Sequence, residues 1–107
     1  MRNMSKWLFA LIIMIQLTPV AAALDIARQT ELLYLLKHDC GSCHGMTRKG
    51  GLGPALLPEN INARPATFMV NTVLDGRPGT PMPPWRGELS ERDARWLIEA
   101  MRQGEGL

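Results

Sequence analysis

The chain has 107 residues, 46% of them hydrophobic, with 12 Lys and Arg against 10 Asp and Glu and a formal charge of +2. A single small domain fits this length, too small to build a large core from side chains alone, and two cysteines offer at most one disulfide. A bound cofactor is the natural supplement, whereas the near-neutral balance and absence of a basic stripe give no support to nucleic-acid binding.

The first residues join a basic start (Arg2, Lys6), an apolar run from Trp7 to Leu17 and the small residues Ala21, Ala22 and Ala23, in the order of a secretory signal. Interrupted by Gln16 and closed by Thr18 and Pro19, the run is shorter than the roughly 20 apolar residues a membrane span needs. Residues 1–23 are therefore expected to be a cleaved signal peptide, removed after Ala23 or one residue earlier, leaving 24–107 as one periplasmic domain with no membrane anchor. Cleavage removes Arg2 and Lys6 but no acid, so the remainder is formally neutral. Outside the cytoplasm a free cysteine pair tends to oxidise, which argues against a cytosolic thiol role.

From Asp25 to Asp39 the spacing predicts a helix capped by Asp25, with Ile26, Leu33 and Leu36 on one face continuing to Cys40, and Gly41 breaking the pattern. Residues 45–64 read as a Gly- and Pro-rich loop with one turn near Pro58 to Ile61. A second helix is expected to begin with Pro65 at its first position, run through Phe68, Met69, Thr72 and Val73, and stop at Gly76. Pro78, Pro81, Pro83 and Pro84 make Gly76 to Gly87 a stiff, extended loop. The last helix is marked by Ser90 as cap, Glu91 and Asp93 in its first turn, the stripe Ala94, Leu97, Ile98 and Met101, and Gly104 at its end. No segment alternates as a half-buried strand does, so the expected class is all-α.

Cys40-Gly41-Ser42-Cys43-His44 carries the chemistry. Two thiols at this spacing can add across the vinyl groups of a haem, and the histidine that follows is aimed at the iron, so one covalent haem c is expected on Cys40 and Cys43 with His44 as axial ligand. The alternatives are a disulfide, a thioredoxin-like pair and a zinc site shared with His38. A thioredoxin-like pair wants a βαβ setting, and zinc would need adjacent Cys43 and His44 together.

The other axial ligand must come from elsewhere, and a thioether suits a carrier at positive potential. Met46 is too near His44 to reach the opposite face, Met69 and Met101 fall in helical stripes that suit packing, and His38 belongs to the helix leading into the motif. Met82, in the proline-stiffened loop, is the expected ligand. The Pro54 carbonyl is the candidate acceptor for the second ring nitrogen of His44. Leu56, Trp85 and Trp96 could wall the haem, and Arg86 or Arg64 could meet a propionate.

In this order, an N-terminal helix, Cys-x-x-Cys-His-Gly, Gly53-Pro54-x-Leu56, Met82-Pro83 and a C-terminal helix, the chain resembles class I c-type cytochromes over essentially all of residues 24–107. The resemblance implies crossed first and last helices beside one haem, His44 and Met82 on iron, and Pro54 orienting His44. Many members carry an aromatic residue four before the first cysteine, where this chain has Leu36 and places its tyrosine at Tyr34. The strings Lys49-Gly-Gly-Leu-Gly-Pro54, Leu74 to Trp85 and Ala94-Arg-Trp-Leu97 are similar to the small nir-cluster cytochromes (NirC type) of denitrifying bacteria. That similarity implies a partner in the haem-cd nitrite reductase or in the maturation of its haem d.

The leading reading is therefore an electron-transfer protein and not an enzyme, since two protein ligands leave no open site at the metal. Its rival is a haem enzyme or ligand-binding haem protein with a displaceable sixth ligand, and a different periplasmic reductase or oxidase is the alternative partner. A neutral surface predicts weak, mainly apolar docking with modest salt dependence. A monomer is expected, with segment exchange between two chains open to the long proline-rich connection.

Overall fold

The computed structural model describes residues 24–107, and the expected signal peptide lies outside the described residues. The architecture is helical, with no strand among the described residues: α1 (Ile26–Leu35), a π turn (Leu36–Cys40), α2 (Gly41–His44), α3 (Pro58–Asn62), α4 (Ala66–Asp75) and α5 (Glu91–Gln103).

Capping chemistry sets most boundaries. Asp25 accepts from the backbone N–H of Arg28 at 2.7 Å and starts α1. Ser90 and Asp93 form a reciprocal capping box at the head of α5, and Gly104, in the left-handed region at φ 74°, ends it. Pro65 stands one residue outside α4 with an extended ψ of 145°, as the cap and not the first helical residue.

The α5 stripe Ala94, Leu97, Ile98 and Met101 is buried as expected and forms the spine of the core with Leu32, Leu36, Ile61, Val70, Leu74 and Leu89. Helices α1, α3 and α4 all pack against it. On α1 the buried face differs from the expected one: Leu32 is fully buried whereas Ile26 is 79% exposed. The cause is tertiary. Arg28 grips the buried carboxylate of Asp93 on α5, with Nη2 to Oδ2 at 2.8 Å and Nε to Oδ1 at 3.2 Å. This turns the Arg28, Leu32, Leu36 line, spaced by four, toward the core.

Gly41 does not break the first helix. The helix widens into the π turn and continues through Gly41 to His44, and Gly41 is buried. A Cβ there would sit 3.3 Å from the Met46 sulfur, so the glycine answers to close packing. The chain leaves the helix at Gly45, whose φ of 90° an L side chain rarely adopts.

Candidate haem site

Cys40, Cys43 and His44 stand at i, i+3 and i+4 on one continuous helical segment, which gathers them on a single face. Both cysteines are free thiols, each partly buried. Burial, helped by the neighbouring charge of Asp39, pushes the Cys40 thiol up to about 11. The Ser42 hydroxyl donates to the Asp39 carbonyl at 2.6 Å and steadies the turn between the cysteines.

The glycine loop folds back over this turn. Gly53 N–H donates to the Cys43 carbonyl and Gly50 N–H to the His44 carbonyl, each at 2.8 Å, so both end carbonyls of α2 are satisfied. Such closeness requires glycine at Gly53, where a Cβ would lie 2.7 Å from Cε1 and Nδ1 of the His44 ring. With the ring seated there, Nδ1 stands 2.7 Å from the Pro54 carbonyl oxygen, the acceptor expected from the sequence. A carbonyl can only accept, so Nδ1 carries the proton and Nε2 keeps its lone pair free to bind a metal.

Met82 lies in the loop after α4, half-buried, and is the one residue from Pro81 to Pro84 with a backbone N–H. That N–H donates to the Thr80 hydroxyl at 3.3 Å, and its carbonyl accepts from Arg77 N–H at 3.2 Å. The other methionines differ: Met101 is in the core, Met69 packs against it, and Met46 is half-exposed. His38 is exposed on the first helical segment, its ring centroid 4.2 Å from that of Tyr34. Leu56, Trp85 and Trp96 are partly buried against the core. The two arginines suggested for a propionate have protein partners: Arg86 pairs with Asp75 at 2.8 Å, and Arg64 lies over the Phe68 ring at 5.0 Å.

Arg48 was not singled out by its sequence. It is buried, adopts φ 59°, and donates from Nη2 to the Glu105 carbonyl at 2.6 Å, tying the motif loop to the segment after α5. Burial lowers its pKa, and its Nε has no hydrogen-bond partner among the described residues. Nothing local distinguishes it from its neighbour Lys49, because its role depends on a partner 57 positions away.

Residues 27–99 match the family described as cytochrome c oxidase, cbb3-type, subunit III. A cytochrome c55X of Pseudomonas aeruginosa is 57% identical over 81 residues, covering 76% of this chain and 68% of that protein. The solved structure of a c-type cytochrome NirC superposes with a TM-score of 0.74 at 55% identity, covering 77% of this chain and 96% of that one. This chain is a NirC-type cytochrome c. A dihydro-heme d1 dehydrogenase of Pseudomonas aeruginosa is 37% identical over 73 residues, which span 68% of this chain but 14% of that larger protein.

Membership settles the cofactor: one haem c, bound covalently through Cys40 and Cys43. The residues fit it, because the cysteines share a face with a histidine whose second nitrogen is already committed. NirC-type cytochromes belong to a family of small electron-transfer proteins, and the helical fold agrees with the class I arrangement expected from the sequence. No helix among the described residues is long and apolar enough to cross a membrane.

Proposed function

We propose that this cytochrome is a periplasmic one-electron carrier whose redox centre is closed by two of its own side chains, His44 through Nε2 and Met82 through its sulfur. The observation that carries the reading is the 2.7 Å contact between His44 Nδ1 and the Pro54 carbonyl, which fixes the tautomer and leaves Nε2 free. When bound, haem c supplies an Fe(III)/Fe(II) couple. Met82 supports the closure, because its backbone is hydrogen-bonded on both sides and flanked by prolines, so the sulfur is offered from a stiff segment. With His44 and Met82 both holding the metal, no position would be left for substrate, which separates a carrier from a haem enzyme. In the oxidised protein a Met-to-iron charge-transfer band is expected in the far red and should vanish in Met82→Ala. A native protein without the band would overturn the ligand assignment.

The partner proposed is the haem-cd nitrite reductase, served either as electron donor or during maturation of its haem d. Support comes from the likeness to NirC and from the stretch shared with a dihydro-heme d1 dehydrogenase. Residues 1–23 act in this reading as the cleaved export signal. Stopped-flow mixing of reduced holoprotein with the nitrite reductase, with and without haem d, tests it. Rapid oxidation by the complete reductase supports the donor role, and a response confined to the haem d-deficient form supports the maturation role. The matched family is described by an oxidase subunit, so a cbb3-type oxidase is the comparison arm; faster electron transfer to it would overturn the nitrite assignment.

A further inference from the structure

The loop that presents Met82 leaves and rejoins the fold through a narrow neck. Helix α4 ends at Gly76, and the returning limb of the loop runs back along its last turn, with Trp85 N–H donating to the Val73 carbonyl at 3.2 Å and Arg86 N–H to the Leu74 carbonyl at 3.1 Å. Asp75 and Arg86 close the neck as an exposed ion pair at 2.8 Å. Gly76 fills the space between the two passes of chain. A Cβ on it would lie 2.7 Å from the Met82 carbonyl oxygen, 2.7 Å from the Pro83 carbonyl carbon and 2.8 Å from the Pro84 nitrogen.

All three are backbone atoms, and the prolines around them cannot yield by rotating φ. Moving a Cβ from 2.7 Å to an ordinary contact requires the Met82 segment to retreat by about 0.7 Å. Gly76 also holds φ 67° and ψ −169°, a combination open essentially to glycine alone.

From this contact we infer that Gly76 is the positioning residue for Met82: its missing side chain sets how far the Met82 backbone stands from α4, and so whether the sulfur can hold the metal. The inference rests on the axial role proposed above for Met82. It adds that this role depends on a residue six positions before it in the chain.

The structure supplies its own control. Gly79 shares the positive φ, at 79°, but nothing lies within 4 Å of the Cβ it would carry. Gly76→Ala and Gly79→Ala thus both strain the backbone, and only the first pushes on Met82. The readouts are the far-red band of oxidised holoprotein and the affinity of the ferric form for imidazole, which competes with the sulfur.

Gly76→Ala is expected to weaken the band and raise imidazole affinity at least about tenfold, with Gly79→Ala staying within about threefold of the parent. Equal changes in both variants would assign the effect to strain and overturn the inference. So would Gly76→Ala matching the parent while Met82→Ala loses the band, an outcome that keeps Met82 as ligand. If Met82→Ala leaves the band intact, the ligand assignment falls and this inference with it. Should Gly76→Ala fail to accumulate with haem, the double variant Asp75→Asn/Arg86→Gln loosens the same neck more gently. Imidazole affinity is then expected to rise about two- to fivefold, and no change would overturn the inference.

Discussion

Asp93 joins the two ends of the described chain, and its protonation should be visible in stability. Its carboxylate accepts both Arg28 bonds and the Ser90 backbone N–H at 3.0 Å, while its own N–H donates to the Ser90 hydroxyl. These contacts, Arg28 foremost, overcome the cost of burial and hold the carboxyl at about 2 against an ordinary 3.8. A depressed folded-state pKa contributes stability that is fully present above the unfolded value near 3.8 and is lost as pH falls through about 2. At 1.36 kcal/mol per unit the shift is worth about 2 kcal/mol, reduced somewhat because the Arg28 side chain is one-third exposed. Asp93→Asn removes the titrating group and weakens the cap while keeping the shape. Urea unfolding of the holoprotein from pH 7 to pH 2 should show the variant less stable by up to about 2 kcal/mol at neutral pH, with the gap narrowing as pH falls from about 4 to about 2. A gap that stays constant across the acid range would refute the linkage, leaving the residue as a cap alone.

Gly53→Ala should displace the His44 ring and lower the thermal midpoint by an amount equivalent to about 2 kcal/mol, whereas Gly41→Ala, whose nearest neighbour is the flexible Met46 sulfur at 3.3 Å and whose backbone contacts begin at 3.4 Å, should cost less. Calorimetry of both holoproteins checks the order. Ser90→Ala removes the side-chain half of the capping box and should cost about 1 kcal/mol in the same measurement. Electron transfer to the nitrite reductase should slow only modestly between low and physiological ionic strength, since residues 24–107 are formally neutral; a steep fall would reveal a charged docking face. Mass spectrometry of the exported protein should find it beginning at Leu24 or Ala23 and heavier by one haem, and an intact N-terminus would refute cleavage.

What could be read from the sequence was what local chemistry decides. The motif spacing, the Ser90 cap with its acidic first turn, the α5 stripe and the Pro54 carbonyl each depend on residues within ten positions of one another, and all appear in the fold. The buried face of α1 could not be read the same way. Ile26 and Leu32 are equally apolar, and the choice between them is made by Arg28 reaching Asp93 on another helix. The π turn is likewise invisible to a pattern based on 3.6 residues per turn. Arg48 carries no local signal because its acceptor, the Glu105 carbonyl, lies far away in sequence. Gly41 misled for a related reason: glycine marks both helix ends and tight contacts, and only the position of Met46 tells which.

The Arg28 to Asp93 tie spans 65 positions, and Cys40, Cys43, His44 and Met82 all lie inside the ring it closes. Closing so long a ring costs chain entropy before any contact within it is rewarded. Although every element among the described residues is helical, the time taken to fold should therefore be governed by the meeting of the two ends, as in proteins built from distant pairings. The order of assembly follows: the helices that flank the redox centre join the far parts of the chain, and the loops that shape the centre settle inside a frame already shut.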